Sequence, residues 1–389
     1  MDAYRLAEEY KDYIVEMRRH FHRNPEVAWQ ELETARVVEE ELEKMGLEPR
    51  RVAGTGVIAL IEGDQPGPTL GLRADMDALA VQEASKAPYA SCIPGTMHAC
   101  GHDAHTAILL GTARILFENR AHWGGRVFLI FQPAEEVAQG AARILSETQL
   151  LDAVERYMAI HVWSLIPVGK VSVDAGPRMA ASDSFRMAVR GKGGHGSMPH
   201  HTIDPIPVAC SVVSQLQHLI SRETDPLKPA VVSVCSIKGG STFNVIPGEV
   251  ELLGTFRSFD RELREHLPKR VEEIARGVCQ THGAELEFEL ILGTPAVIND
   301  EQSSRIARGA VEKLLGADGV YSYAPITSAE DFAYYQEKKP GVLAFVGCRN
   351  EEQGKCWPHH HERFDIDEEA LTISAALFVQ FVLENQAER

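Results

Sequence analysis

Five consecutive apolar residues, Val127 to Phe131, run directly into Gln132-Pro133-Ala134-Glu135-Glu136. A short run with no polar face reads as a strand covered on both sides, which requires a sheet sandwiched between helices. Met158 to Val162 is a second such run. Thr69 to Leu72 is a third strand and leads into Arg73-Ala74-Asp75-Met76-Asp77, while Val57 to Ile61 precedes it. Helical stretches are expected over about 4–22 and 31–45, the latter stopped by Gly46. Another follows His105 as far as Phe117, with Asp103 placed to cap it. This alternation predicts an α/β domain with a central sheet flanked by helices. The polar clusters fall past the strand ends, where open α/β sheets bind ligands.

The middle of the chain has a different order. Phe185, Met187 and Val189 alternate as in a strand, and Asp204-Pro205 opens a helix to about Arg222. Ala230 to Ile237 and Glu249 to Phe256 read as strands. Asp260 caps a helix to about His282, and Ala284 to Leu290 closes the set. The order β-α-β-β-α-β is that of a ferredoxin-like unit. It is expected as a domain over 183–297, inserted into a first domain of 1–182 and 298–389. After Thr294-Pro295 the first pattern returns with a helix over 301–315, a strand at 342–346 and a helix over 367–384. A length of 389 residues fits two domains better than one.

The net charge of −17 argues against nucleic acid or an anionic membrane as partner. No stretch approaches the roughly 18 apolar residues of a membrane span. Met1-Asp2-Ala3-Tyr4-Arg5 opens an amphipathic helix without the features of a signal peptide. Seven scattered cysteines then fit a reducing cytoplasm.

The chemistry concentrates in Met97-His98-Ala99-Cys100-Gly101-His102-Asp103-Ala104-His105. Cys100, His98, His102 and His105 can all bind a transition metal. Cys100 and His102 would face the same way in an extended segment. Glu135 and Glu136, adjacent after a buried strand, point in different directions. One can hold an ion while the other faces substrate and takes a proton from water, the division a metal hydrolase needs. His161 lies in a strand, Asp75 and Asp77 at a strand end, and His359-His360-His361 near the C-terminus. An acid at a strand end can hold a ligating imidazole from behind. Thiolate, imidazole and carboxylate together suit zinc and its first-row neighbours rather than magnesium or calcium. In the inserted unit, Gly193-Gly194-His195 is a glycine-rich turn without phosphate-loop spacing. Asn244 and Arg257 supply an amide and a guanidinium.

Taken in order, these motifs resemble the aminoacylase/carboxypeptidase family of dinuclear metallohydrolases. The similarity is greatest to the amidohydrolase branch of hippurate hydrolases, auxin-conjugate hydrolases and N-acetyl-diaminopimelate deacetylases. The motifs that carry it run from His22-Arg23-Asn24-Pro25-Glu26 through Leu72 to Leu79, Met97 to His105, Phe131 to Glu136, and His161-Val162-Trp163. They continue with Gly193-Gly194-His195, Asn244-Val245-Ile246-Pro247, Glu330-Asp331-Phe332 and the terminal His-x-x-x-Phe.

The resemblance implies a metallopeptidase-type catalytic domain binding two divalent transition-metal ions (zinc, manganese, cobalt or nickel), with a lid that also mediates homodimerisation. By position, the ligands would be Cys100, His102, Glu136, His161 and His360, the last selected by its spacing to Phe364. Glu135 would be the general base, Asp77 the supporting acid and His195 an oxyanion-stabilising residue. Asn244 and Arg257 would recognise a substrate carboxylate. Ala80, Glu362 and Ala329 depart from the branch's usual residues without touching a proposed ligand. The expected reaction is hydrolysis of an N-acyl amino acid. A carboxypeptidase or dipeptidase specificity is the alternative, and a metal-stabilised binding protein is a third reading, disfavoured by Glu135.

Overall fold

The computed structural model describes residues 1–387. The chain opens with α1 (Ala3–Glu9), α2 (Lys11–Arg23) and α3 (Leu32–Lys44). The single helix expected over 4–22 is therefore two. Tyr10, at φ −101° and ψ 5°, breaks the run while its N–H still donates to the carbonyls of Leu6 and Ala7. α3 ends as its sequence predicts. Gly46 has a φ of 89°, its N–H donates to Glu43 O, and Leu47 N–H donates to Leu42 O, the paired bonds of a Schellman cap.

The next elements are β1 (Arg50–Val52), β2 (Gly56–Glu62), β3 (Gln65–Asp75), α4 (His102–Glu118), β4 (Gly124–Gln132), α5 (Gly140–Glu147), β5 (Arg156–Pro167), β6 (Val171–Ser172) and β7 (Gly176–Met179). The second part of the chain holds β8 (Ala181–Arg190), β9 (Gly194–His195), α6 (Pro205–His218), β10 (Ala230–Gly239), β11 (Val245–Ile246), β12 (Glu249–Ser258), α7 (Arg261–Thr281) and β13 (Glu285–Ile291). Then come β14 (Val297–Asn299), α8 (Glu301–Leu315), α9 (Ala333–Gln336), β15 (Gly341–Arg349) and α10 (Glu369–Ala387).

These elements form two compact units. The first contains Met1–Arg178, Ile298–Ala324 and the chain from Asp331 onward. Its mixed seven-stranded sheet has the order β1-β2-β4-β3-β5-β15-β6. β3 runs parallel to both β4 and β5, with Asp75 opposite Gln132 and Arg73 opposite Ala159. β15 runs parallel to β5, with Phe345 opposite His161. Val127 to Gln132 is buried throughout, as its unbroken apolar run requires. α4 and the apolar α10 share a buried core with the sheet through Ile108, Leu116, Phe378 and Val382. The parallel strands β3 and β4 end together at Asp75 and Gln132, while His161 lies midway along β5.

The second unit contains Met179–Val297 and Pro325–Glu330. The latter segment is tied in by Ala180 N–H, which donates to Ile326 O and Ser328 O. The four-stranded antiparallel sheet has the order β10-β12-β8-β13, the ferredoxin-like arrangement. Phe185, Met187 and Val189 point from β8 into a core shared with Val212 and Leu216 of α6 and Val271 and Ala275 of α7. Asp204 and Asp260 cap those helices, accepting from Ile206 N and Leu263 N. No helix among the described residues is long and apolar enough to cross a membrane.

Candidate metal centre

Cys100, Gly101 and His102 turn from a loop into the first residue of α4. Gly101, not Asp103, is the N-cap, with φ 93° and no side-chain cap. Only a residue free to take that backbone conformation fits, and a Cβ here would meet Val162 Cγ2 at 2.6 Å. Cys100 and His102 are thus brought together by a left-handed turn rather than by the expected extended segment. Asp103, expected as the cap, is buried one residue into the helix. Its Oδ2 accepts from Arg18 Nε and His22 Nδ1, each at 2.8 Å.

The imidazole tautomers follow from their partners. His102 Nδ1 lies 2.8 Å from the main-chain carbonyl of Asp77, which can only accept, so Nδ1 carries the proton. His161 Nδ1 lies 2.7 Å from Val162 O and must donate likewise. Both rings, when neutral, therefore present the Nε2 lone pair as a ligand atom. His105 is the reverse case. Val162 N–H donates to its Nε2 at 2.9 Å and its Nδ1–H faces Asp75, so both nitrogens are engaged. Of the terminal triple, His359 bonds Val162 O through Nε2 and Ser164 through Nδ1. His361 Nδ1 accepts from Arg363 N. His360 is the member that reaches Cys100 and Glu136. The peptide of Val162 thus anchors three imidazoles.

Two groups of donor atoms meet at one sulfur. Cys100 groups with His102 and His161, and again with Glu136 and His360, each set of ligand atoms lying within 4.8 Å of one another. His102 also groups with Glu135 and Glu136. His161 Nε2 is 3.6 Å from Cys100 Sγ, and His360 Nε2 is 3.4 Å from Glu136 Oε1. Among the described residues, His102 Nε2 and Glu136 Oε1 are buried without a hydrogen-bond partner. Buried lone pairs converging without donors fit a bound cation.

The buried acids favour positive charge beside His102 and Cys100. Burial disfavours a charged His102, yet Asp75, Cys100 and Asp77 outweigh it and push its pKa well above the ordinary value. Burial, then the neighbouring histidines, push His161 well below it, which keeps that ring neutral. Burial raises the Cys100 thiol, and the Glu136 carboxylate beside it raises it further.

The acids are held by main chain and by buried ions. Asp77 Oδ1 and Oδ2 accept the N–H groups of Glu135 and Glu136, each at 3.0 Å. Its Oδ1 also lies 3.3 Å from His102 Nδ1, so the carboxylate serves the Glu135–Glu136 turn as well as the imidazole. The Asp75 carboxylate lies between Arg73 and His105. Burial raises its pKa, but Arg73, His102 and His105 prevail and hold it well below the usual range.

Asp331, quoted in a motif but given no role, is buried and joins the strands. It accepts from Arg73 Nη2 at 2.8 Å, from Gln132 Nε2 and from Ala141 N. Glu31 carries no motif in the sequence. It is fully buried and accepts from Ala134 N at 2.9 Å and Thr55 Oγ1 at 2.7 Å. Asp331 could have been suspected from its place in Glu330-Asp331-Phe332, whereas an acid before a helix start looks like an ordinary surface residue.

His195, Asn244 and Arg257 belong to the second unit. β9 pairs with β11, setting His195 opposite Val245, and Gly196 N–H donates to Asn244 O. His195 Nδ1 accepts from Ser197 N at 3.1 Å, which in the neutral ring leaves Nε2–H as a donor. Arg257 bonds Phe256 O through Nη1 and Thr327 O through Nε.

A helix-flanked mixed sheet, a ferredoxin-like second unit and thiol, imidazole and carboxylate donors at the strand-end edge define a metallohydrolase of the α/β class. The chain belongs to peptidase family M20/M25/M40, whose family profile matches residues 71–384. It is 45% identical over 299 residues to an N-acyl-L-amino acid amidohydrolase of Geobacillus stearothermophilus, covering 77% of this chain and 81% of that one. It is 38% identical over 373 residues to thermostable carboxypeptidase 2 of Saccharolobus solfataricus, covering 95% and 94%. The crystal structure of Bacillus subtilis YXEP protein, described as a dinuclear metal binding peptidase from the M20 family, superposes with a TM-score of 0.86. The two are 37% identical, with 98% of this chain and 99% of that chain covered.

Proposed function

We propose that this protein hydrolyses the amide bond of N-acyl amino acids, releasing a carboxylic acid and the free amino acid. The observation that carries the reading is the pair of donor groups sharing Cys100, with Glu135 on the same turn as Glu136. Cys100, His102, Glu136, His161 and His360 would hold two divalent ions of the zinc, manganese, cobalt or nickel kind. Bound there, such ions polarise the scissile carbonyl and make water acidic enough to lose a proton near neutral pH.

Glu135 takes that proton and passes it to the leaving amine. Asp77 fixes the turn from which Glu135 acts. His195 donates through Nε2–H to the oxyanion of the tetrahedral intermediate. Asn244 and Arg257 recognise the substrate carboxylate, for which a guanidinium is the fitting partner. The same reading takes the first unit as the catalytic domain and the second as a lid that also forms a homodimer. Edge strand β10, with Val231 and Ile237 exposed, supports pairing of that kind. A cytoplasmic location is supported by seven cysteines that all stand unpaired.

The test is amino-acid release from N-acetyl, N-benzoyl and longer N-acyl amino acids beside free dipeptides. The protein is stripped of metal and reloaded separately with zinc, manganese, cobalt or nickel. Turnover of N-acyl substrates alone upholds the reading. The carboxypeptidase relative motivates the second reading, which turnover of dipeptides alone would establish. Silence across the panel with metal bound would favour an amide outside the panel or a binding protein.

A further inference from the structure

We propose that Glu31 is a positioning residue for Glu135, acting through the main chain at Ala134. The proposal rests on the reading of Glu135 as the proton-transferring group. Ala134 has a φ of 55°, in the left-handed region that a residue with a Cβ disfavours. Such a conformation persists only where its surroundings over-determine it.

Here they do. The N–H groups of Ala134, Glu135 and Glu136 point in succession at two buried carboxylates. Ala134 N donates to Glu31 Oε1 at 2.9 Å, and the next two donate to Asp77. Glu31 therefore holds the residue with the unfavourable backbone, and Asp77 holds the two acids that follow.

Glu31 is built for this contact rather than for its own helix. It stands at the N-cap of α3, yet its side chain makes no cap there. Glu26 meets that need instead, accepting from Glu33 N at 3.1 Å and Thr34 N at 2.8 Å. The Glu31 carboxylate is left to reach 103 positions along the chain to Ala134, with its other oxygen fixed by Thr55. The same segment meets the other site loops. His22 bonds Asp103 beside His102, and Glu26 O accepts from Ala78 N at 2.7 Å beside Asp77.

The experiment compares Glu31→Ala, Glu31→Gln, Ala134→Gly and the Glu31→Ala/Ala134→Gly double variant in the full chain. It measures kcat and KM on the best-hydrolysed N-acyl amino acid, and hydrogen–deuterium exchange across residues 132–139 in metal-free protein. Glu31→Ala is expected to speed exchange and lower kcat roughly 10- to 100-fold, the loss of a buried hydrogen bond to a charged group, with KM changed less than about threefold. Glu31→Gln keeps a carbonyl acceptor and should recover most of the rate. On the Ala134→Gly background the Glu31→Ala penalty should shrink, because glycine takes the left-handed conformation unaided.

Unchanged exchange in Glu31→Ala, equal losses in Glu31→Ala and Glu31→Gln, or an undiminished penalty on the Ala134→Gly background would each overturn the proposal. Should Glu31→Ala not fold, Thr55→Val removes one support of the same carboxylate. Faster exchange there upholds the proposal, and unchanged exchange overturns it. A Glu135→Gln variant separates the two readings. If it keeps full activity while Glu31→Ala speeds exchange, Glu135 is not the base and the purpose assigned to Glu31 falls with it. If Glu135→Gln is inert and exchange in Glu31→Ala is unchanged, the base stands and the positioning role falls.

Discussion

The Asp77 carboxylate receives the main-chain N–H of Glu135 at 3.0 Å, and its second oxygen receives the next amide at the same distance. An acid that looks from the sequence like a partner for histidine thus also sets the direction of two other acids. Replacing it with asparagine turns one acceptor into an amide NH2 facing an N–H. Asp77→Asn should lower kcat/KM or metal affinity roughly 10- to 100-fold, as supporting groups around metal ligands do. Steady-state kinetics and metal titration would show it. A wild-type rate and affinity would mean that the turn holds itself.

Glu135→Gln keeps the turn's amides and volume but removes the basic oxygen. Its kcat should fall about 10²- to 10⁴-fold, the usual range for losing a positioned general base, while metal content stays at the wild-type level. Single-turnover assays with metal analysis on the same sample would check this. Parallel loss of metal would move Glu135 from base to ligand.

On the proposed reading, a bound cation supplies the partner that His102 Nε2 and Glu136 Oε1 lack among the described residues. Metal in hundredfold excess over its dissociation constant should therefore stabilise the folded chain by about 2.7 kcal/mol for a single site. Thermal denaturation of stripped and zinc-reloaded protein would measure the shift. Cys100→Ala removes the sulfur common to both donor groups and should abolish most of it. An unaltered shift in that variant would place the ion elsewhere.

Asp365 couples stability to pH. Burial raises its pKa, but Arg18 and Lys355 outweigh it and hold the carboxyl below its ordinary value. Its Oδ1 lies 2.9 Å from Arg18 Nη2, and its Oδ2 accepts from Tyr89. The unfolded chain takes up the proton first, near pH 3.9, and the folded chain only at lower pH. The stabilisation is therefore complete above about pH 5 and is lost as pH falls toward and through the folded-state pKa. Asp365→Asn should cost about 1.5 to 3 kcal/mol at neutral pH by removing one of the charged partners of Arg18, which keeps Asp103 and Glu368, and should flatten the acid limb. Urea denaturation of metal-free protein from pH 7 to 3 would test both. Parallel curves for the two proteins would rule out the linkage.

The strand cores, the two caps Asp204 and Asp260 and the ferredoxin-like order were legible because each rests on local pattern: apolar runs, alternation, an acid before a helix. α5, β1 and β6 were not, being too short for a period to emerge. The cysteine, histidines and acids of the site were visible as residue types. The resemblance assigns roles to them, but the hydrogen bonds that hold each one in place depend on partners far along the chain. Asp103 looks like a cap until Arg18, 85 positions away, and His22, 81 away, are seen on it. His105 looks like a ligand until Val162 N–H is found on its Nε2. Glu31 gave no hint, because what distinguishes it is a contact with a loop 103 residues downstream.

β15 lies inside the large sheet, between β5 and β6, although it is made from residues 341–349. The sheet therefore cannot close while the growing chain is still shorter than that, and His360 follows later still. During synthesis the earlier strands must wait beside an open slot, with the second unit free to form first. On the proposed reading, a product that stops short of His360 lacks both a closed sheet and a complete metal site, and is a folding intermediate rather than a slow enzyme.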